Sequence, residues 1–276
     1  MTEEGKPKNS KNSVQGKYLY CVIKEKSPKK FNILGQEGKE VYPINEAPKE
    51  SLRDPTGQGN LAIVVSDTSK EEYSFIKEHL TGHQRVIEEV MREGYDVLPV
   101  RFGTVAKSVQ DIREKILKSK RKELLETFPI VEGRVELGLR ALWKDMPGIF
   151  QEIMAENKEI QRAKKEAQKN PFQLKVASVG ELIQKAFDAK RKSEAEKILS
   201  PLKKLAVDFK ERELLKSREP LRDSMILSSA FLVPKRNEKE FDKRVEVLVK
   251  DYDKRIKFIY MGPIPPFNFV ELVLHI

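Results

Sequence analysis

The sequence predicts an α+β fold in two domains. We expect an N-terminal α/β domain with a mixed sheet and a C-terminal modified ferredoxin-like domain (βαββαβ) that carries extra long helices and an extended C-terminal tail. The length of 276 residues suits two modest domains better than one. Runs with strand and helix periodicity alternate along the chain, and a long period-two run at 131–143 divides them into two sets.

The N-terminal domain is expected to span residues 17–133. Residues 1–16 precede it and are polar with little apolar content, which predicts a disordered tail. The first strand is predicted from Tyr18 to Ile23. The run from Leu61 to Val65 is continuously apolar and rich in β-branched residues, which is typical of a strand buried on both faces.

Two helices are expected to complete this domain. Ser69 is placed to cap the first, and Gly94 to end it. Its apolar stripe recurs at steps of three and four and consists of Tyr73, Ile76, Leu80, His83, Ile87 and Val90. The second helix is predicted over residues 107–127, and Pro129 is expected to close it.

The C-terminal domain is expected to span residues 134–261. From Val131 to Trp143 apolar residues alternate with polar ones such as Glu136, which predicts a strand with one buried face and one wet face. The elements that follow give a split βαβ order. They are long helices at 145–169 and 178–199, a new helix start at Ser200-Pro201, a weak strand at 211–217, a strand at 225–233, a helix capped by Asn237 and a strand at 255–260.

The net charge of +10 lies mostly in the second half of the chain. Residues 1–133 hold 23 Lys and Arg against 21 Asp and Glu, and the remaining residues hold 30 against 22. This excess attracts acidic partners, but interleaved acids also fit a solvated, salt-bridged helical surface. The single cysteine, Cys21, lies in a strand-like run, which favours a buried, inert thiol in a reducing compartment.

We expect a cytoplasmic protein without a membrane span. No basic-then-apolar signal peptide opens the chain. No uninterrupted apolar run reaches the about 18–20 residues that a membrane span requires.

Motifs of known catalytic chemistry are absent from the sequence, including the G-x-S-x-G elbow, the Walker A loop and C-x-x-C. His79 and His83 lie four apart on a predicted helix, but no third ligand is evident, so a core histidine is favoured over a metal site. Acid pairs such as Glu71 and Glu72 fall at helix starts or on polar faces. We therefore expect no enzymatic activity, no cofactor and no metal.

An RNA-binding protein with a ferredoxin-like domain is the alternative function. A basic half with a split βαβ order is compatible with an RNA-recognition module, which displays aromatic side chains on its central strands. The nearest match to the aromatic motif, from Val100 to Val105, lacks the flanking aromatics and lies in the other half of the chain. Nucleic acid is therefore not the expected partner.

The first of two remaining motifs covers residues 98–104. Pro99 and Gly103 predict a tight loop between a strand and a helix. Arg101 offers five donors for loop carbonyls or a carboxylate, and Phe102 is suited to anchor the loop in a core. This favours a structural role, with a partner-binding surface as the alternative.

The second motif opens a C-terminal tail at residues 262–276. Gly262 precedes Pro263, Pro265 and Pro266, which stiffen the chain into an extended form. The apolar run that follows, from Phe267 through Phe269 to Leu274, predicts a last strand. We expect this tail to pack back on the sheet of the N-terminal domain.

The order of these features resembles the gas vesicle L/F family across roughly residues 17–270. The resemblance rests on the tyrosine-rich first strand, the run from Leu61 to Ser66, His83 in its helix, the run from Val97 to Thr104, and the closing Gly-Pro-x-Pro-Pro-Phe. The family motif usually ends in Pro-Pro-Tyr, so Phe267 lacks a hydroxyl found in relatives.

The resemblance implies a non-enzymatic accessory or minor structural protein of gas vesicle formation. Its implied partners are the small hydrophobic shell protein and other gas vesicle accessory proteins, in the cytoplasm and at the gas vesicle. It also implies the same two-domain fold and no cofactor. The residues do not separate the L branch from the F branch. Candidate interaction or interdomain residues are Pro99, Arg101, Phe102, Gly103, Gly262, Pro263, Pro265, Pro266, Phe267 and Phe269.

Overall fold

The computed structural model describes residues 16–25, 30–46, 60–169, 176–212 and 224–274. It combines sheets and helices, as the α+β class requires. The chain divides into two compact units, one formed by residues 1–132 with 265–276 and the other by residues 133–264. Apart from Gly16, the tail expected at 1–16 lies outside the described residues.

The first unit is built on a sheet in which β4 and β1 are central. Its described strands are β1 (Gly16–Glu25), β2 (Phe31–Leu34), β3 (Glu40–Asn45), β4 (Asn60–Thr68), β5 (Val97–Pro99) and β6 (Val105–Ala106). The order is β2-β3-β4-β1-β5, with β6 also beside β1. We expected a mixed sheet, but the described strand pairs are antiparallel, and the parallel contact is a bridge between Val100 and Leu272.

The run from Leu61 to Val65 is buried on both faces, as predicted. Leu61, Ile63 and Val65 pack into one apolar cluster, and Ala62 and Val64 pack into another on the opposite face. All five side chains are fully buried. Cys21 is fully buried on the neighbouring strand, and burial raises the pKa of its thiol well above the ordinary value.

Besides a short 3-10 turn at Gln36–Gly38, the described part of this unit contains three longer helical segments. They are α1 (Lys77–Arg92), α2 (Val109–Asp111) with its π-helical continuation Ile112–Lys118, and α3 (Arg121–Val131). The predicted second helix is therefore broken before Arg121. Pro129 lies inside α3 rather than closing it, because its fixed φ suits a helix at the cost of one N–H bond.

The start of the first helix was predicted wrongly. Ser69 does not cap it, because its N–H and Oγ bind the Glu37 carboxylate at 3.0 and 2.8 Å. The helix begins at Lys77 instead. Consequently Ile76 and Leu80, predicted as core residues, are 47% and 39% exposed, although the C-terminal part of the stripe is buried.

The second unit is built on an antiparallel sheet with the order β10-β7-β9-β8. Its described elements are β7 (Arg134–Trp143), α4 (Met146–Glu156), α5 (Lys158–Lys169), α6 (Val176–Lys203), β8 (Asp208–Glu211), β9 (Met225–Pro234), α7 (Glu238–Asp251) and β10 (Ile256–Ile264). The core lies between one face of this sheet and the helices.

Strand β7 ends at Trp143 and buries Val135, Leu137, Leu139 and Ala141, as predicted, but its start and its exposed face were predicted wrongly. The strand begins at Arg134, because Val131 completes α3. Its supposed wet face is largely covered: Glu136 is fully buried, and its carboxylate lies 3.6 Å from the Arg212 guanidinium. A buried charge requires such a partner, and alternation alone does not reveal one.

Several helix and strand boundaries in this unit also differ from expectation. The first long helix breaks at Asn157, whose Oδ1 accepts hydrogen bonds from the N–H groups of Glu159 and Ile160. Helix α6 continues through Ser200 and Pro201 to Lys203. The Asn237 side chain donates to the Leu205 carbonyl rather than capping α7.

Strand β8 ends at Glu211, whereas we expected a strand over 211–217; residues 213–223 lie outside the described part. None of the described helices combines the length and apolar character of a membrane-spanning segment.

Candidate interaction surface

The loop that follows β5 is held by its backbone rather than by Arg101. Gly103 has φ of 81°, and its N–H donates to the Tyr18 hydroxyl at 3.2 Å. The Thr104 N–H and hydroxyl both donate to the Arg101 carbonyl, at 3.3 and 2.7 Å. Arg101 itself is exposed, and its guanidinium makes no ion pair or hydrogen bond with the described residues, contrary to the tie we expected.

A buried aromatic cluster with one histidine lies beneath this loop. Phe102 packs against His83 with ring centres 5.7 Å apart, and the Tyr18 hydroxyl lies 3.0 Å from His83 Nδ1. The Tyr20 ring stacks on the imidazole, with ring centres 5.7 Å apart. His83 is therefore a core residue, and the described residues contain no group of three His, Cys, Asp or Glu arranged to hold a metal.

Burial controls the protonation of this cluster. It lowers the pKa of His83 to about 4, an effect that the backbone of Val100 only partly opposes. It raises the pKa of Tyr20 to about 12, against hydrogen bonds with Ser66 and Gln36. At neutral pH the cluster is uncharged, so it stabilises the loop through packing and neutral hydrogen bonds.

A second network joins β1, β4 and the turn after β2. The Tyr20 hydroxyl lies 2.9 Å from Ser66 Oγ and accepts a hydrogen bond from the Gln36 N–H at 2.7 Å. The nearby Glu37 carboxylate accepts bonds from Thr68 and Ser69. Burial alone would raise the pKa of Glu37, but these hydrogen bonds outweigh it and lower the pKa to about 2.

Gly35 leaves no room for a side chain beside this network. A Cβ at Gly35 would lie 2.2 Å from the Tyr20 hydroxyl. We expect Gly35→Ala to displace Tyr20 from its hydrogen bonds and to lower the free energy of unfolding by about 2 kcal/mol, as measured by urea titration. Gly180→Ala in α6, where a Cβ meets nothing within 4 Å, is the control and should not destabilise. Equal stabilities of the two variants would contradict this packing.

The C-terminal tail belongs to the same compact unit as the loop. Pro265 and Pro266 are buried, and the Pro266 carbonyl accepts hydrogen bonds from the N–H groups of Phe269 and Val270. This turn prevents the continuous strand that we expected from Phe267 onwards. Among the described residues of the tail, sheet pairing is limited to Leu272, whose N–H donates to the Pro99 carbonyl at 3.2 Å and whose carbonyl accepts from the Arg101 N–H at 3.1 Å.

The structure divides the closing motif between the two units. Gly262 and Pro263 lie in β10 rather than in the tail. Gly262 has φ of 144°, and a Cβ there would lie 2.6 Å from Leu137 Cδ2, so only glycine suits this position. Phe267 is 37% exposed with its ring 6.3 Å from His83, whereas Phe269 is half-buried.

Exposed or half-buried apolar side chains lie in the loop, in the tail and in the segment that leads into and begins α1. We call Phe75, Ile76, Leu80, Phe102, Phe267 and Val273 the apolar surface. Phe75 is 74% exposed, and its ring lies 5.1 Å from that of Phe102. Phe102 and Phe267 both pack against His83, while Ile76 and Leu80 lie one helical turn apart. The motifs identified Phe102 and Phe267; the available signal for Phe75 was its position beside the stripe.

A cleft of about 600 Å³ opens at one side of the apolar surface. Phe75, Phe102 and Val273 contribute apolar walls. Glu71, Glu72 and Arg101 also line the cleft; all three are exposed, and their side chains form no ion pair within the described part of the chain. The arrangement offers apolar contact with unpaired charges at its rim, which is the composition of a binding surface.

This chain is similar to known gas vesicle proteins over most of its length. The gas vesicle protein F of Nostoc sp. (strain PCC 7120 / SAG 25.82 / UTEX 2576) is 25% identical over 93% of this chain and 98% of its own. That of Dolichospermum flosaquae is 26% identical over 92% and 97%, and F1 of Halobacterium salinarum is 25% identical over 92% of each chain.

The solved structures point the same way. The crystal structure of the gas vesicle protein GvpF from Anabaena sp. PCC7120 superposes with a TM-score of 0.73, at 25% identity, over 95% of this chain and 98% of that one. GvpF from Microcystis aeruginosa gives the same TM-score at 24% identity, over 93% and 99%, and shares the fold. The family model of gas vesicle synthesis protein GvpL/GvpF matches residues 16–271, and the chain therefore belongs to this family.

Proposed function

We propose that this chain is a non-enzymatic accessory component that binds the small hydrophobic shell protein, together with other gas vesicle accessory proteins, during assembly. Membership of the gas vesicle family supports a role in gas vesicle formation. The observation that carries the finer proposal is the apolar surface around the loop. We place the protein in the cytoplasm and at the gas vesicle, and in the F branch that its named relatives represent.

The apolar surface suits a partner that must keep apolar groups out of water. Phe75, which is 74% exposed, packs beside Phe102 above the buried aromatic rings, and Ile76, the next residue in the chain, is 47% exposed. Clustered apolar exposure on a soluble protein marks interaction sites, since it is otherwise unfavourable. A shell subunit exposes apolar surface in order to assemble, so this surface is suited to cover it until delivery.

The chemistry of the described residues supports binding rather than catalysis. His83 is enclosed by aromatic rings and has a pKa of about 4, so it is not poised to exchange protons near neutral pH. Glu37 is fixed by hydrogen bonds in a structural turn. RNA binding receives less support, because Phe102 packs in the first unit and not on the second sheet.

We further propose the two-domain arrangement that the sequence suggested, with the second domain extended to Ile264 and the tail beginning at Pro265, because Gly262 and Pro263 lie in β10. The order β10-β7-β9-β8 of the second sheet supports a ferredoxin-like C-terminal domain, since it corresponds to strands 4-1-3-2 of a βαββαβ unit. The tail's bridge from Leu272 to Val100 supports its packing on the N-terminal sheet.

The apolar surface predicts the outcome of a solubility assay. Co-expressed with the shell protein, the wild-type chain should keep shell subunits in the supernatant after centrifugation. Phe75→Ser with Leu80→Ser should lower the soluble shell fraction about tenfold or more, because each substitution removes about 1–2 kcal/mol of apolar contact.

The matched control is Val247→Ser with Val249→Ser, which alters two side chains of α7 that are 45% and 40% exposed. It should leave the soluble shell fraction unchanged. The proposal fails if the wild-type chain retains no shell protein, or if the control variant impairs retention as strongly as the Phe75 and Leu80 variant.

A further inference from the structure

The tail gives the first sheet an outer edge. Leu272 uses both of its backbone groups to pair with β5 and the loop, through the Pro99 carbonyl and the Arg101 N–H. Its side chain and that of Leu274 are buried, at 6% and 9% exposure, whereas Glu271 and Val273 are exposed. This alternation is that of an extended segment with one face on the core.

The backbone of Val273 remains available for pairing. In an extended chain, neighbouring residues direct their N–H and C=O groups to opposite sides. Because Leu272 directs both groups towards the Val100 segment, Glu271 and Val273 direct theirs away from it. Neither residue forms a backbone hydrogen bond in the described part of the chain. The edge therefore has the unpaired groups that invite another strand.

This open edge adjoins the cleft. Val273 and Leu274 line it together with Phe75 and Phe102, so a strand paired with Val273 would place apolar side chains against these rings. Glu71 and Glu72 form an acidic part of the rim, although the whole chain carries a net charge of +10. Their carboxylates, which form no ion pair with any residue that the structure describes, favour a cationic side chain on the incoming segment.

We propose that the partner binds by strand addition: an extended apolar segment of the shell protein pairs with the backbone of Val273 and brings a Lys or Arg side chain to Glu71 and Glu72. This inference rests on the proposed function and specifies how the same surface is used. Main-chain hydrogen bonds then provide affinity, and the cleft and its acidic rim provide register and specificity.

Val273→Pro tests the backbone step. Proline removes the free N–H of residue 273 and favours extended backbone at Leu272, so the existing bridge to Val100 is retained. With co-expressed shell protein, Val273→Pro should lower the amount captured about fivefold to tenfold, whereas Val273→Ala, which keeps the N–H, should lower it about twofold. Unchanged thermal unfolding of both variants separates this effect from misfolding.

Charge reversal tests the recognition step by a second route. Glu71→Lys with Glu72→Lys should lower capture about tenfold, and the loss should diminish as salt is added. The control, Glu240→Lys with Glu246→Lys on exposed positions of α7, adds the same charge to the second unit and should capture as the wild type does.

The outcomes separate the inference from the proposed function. Capture by the wild type, reduced by Val273→Pro and by the Glu71 and Glu72 reversal, supports strand addition. Capture that falls with the Phe75→Ser, Leu80→Ser variant but not with Val273→Pro indicates that the partner lays a helix on the apolar surface, and this result overturns strand addition while leaving the proposed function in place. Absence of capture by the wild type overturns the proposed function itself.

Discussion

Replacing Arg255 by methionine is expected to lower the free energy of unfolding by about 3 kcal/mol. The Arg255 guanidinium binds both oxygens of Glu152 at 2.7 and 2.8 Å and Glu194 Oε1 at 2.7 Å. Glu194 is 9% exposed, and its second oxygen accepts from Trp143 Nε1 at 2.6 Å. Removing one partner of a buried pair leaves the other charge desolvated, and the partial exposure of Arg255 moderates that loss.

Urea unfolding followed by tryptophan fluorescence measures the effect, because Trp143 contacts Glu194 directly. Arg255→Lys should recover less than half of the loss, since an ammonium cannot reproduce the bidentate geometry. Lys144→Met is the control: its ion pair with Asp253 is exposed, so we expect a loss below about 0.5 kcal/mol. Equal losses for Arg255→Met and Lys144→Met would contradict the importance of this network.

The second large effect is a loss of stability in mild acid that depends on His83. Its pKa is about 4 in the folded protein and near 6.5 in the unfolded chain. The unfolded chain therefore binds a proton first as the pH falls from 6.5. The free energy of unfolding should decrease through this window, by about 2 kcal/mol between pH 6.5 and 4.5, and the His83 contribution should be nearly constant above pH 7.

His83→Gln removes this titration while keeping a group that can bind the Tyr18 hydroxyl. The difference in unfolding free energy between wild type and variant should therefore narrow as the pH falls from 7 to 4.5. Glu37 and Glu152 affect stability at lower pH than His83 does. Their folded pKa values of about 2 mean that the stability they contribute is lost as the pH falls from about 4.5 towards 2. A difference that stays constant between pH 7 and 4.5 would contradict the neutral burial of His83.

The sequence correctly predicted the features that depend on neighbouring residues in the chain. The run from Leu61 to Val65 is apolar at every position, and no arrangement other than burial on both faces suits it. Gly103 was recognised as a turn residue, and its φ of 81° bears this out. The wrong predictions arose where contacts between residues distant in the sequence determine the structure. Ser69 binds the Glu37 carboxylate instead of capping the helix, and the Arg212 guanidinium offsets the burial of the Glu136 carboxylate.

The apolar surface likewise combines residues that the sequence identified with residues that only the structure revealed. The motifs contained Phe102 and Phe267, and the position of Phe75 beside the stripe was a weak signal of its exposure, but nothing in the sequence placed Val273 beside it. Ile76 and Leu80 have the helical spacing of core residues. Only the three-dimensional structure shows that the beginning of this apolar stripe is exposed to solvent, whereas its later part is buried. An apolar stripe that extends beyond the core indicates a binding surface, but this signal can be recognised only once the fold is known.

Complementation of gas vesicle formation tests the central claim most directly. In cells that lack this chain but contain the shell protein and the other gas vesicle proteins, vesicles can be counted by electron microscopy after each variant is supplied. We predict that the wild type and the Val247→Ser, Val249→Ser control restore vesicles, whereas Phe75→Ser with Leu80→Ser does not, at equal levels of folded protein. Full restoration by the Phe75 and Leu80 variant would contradict a role of the apolar surface in assembly.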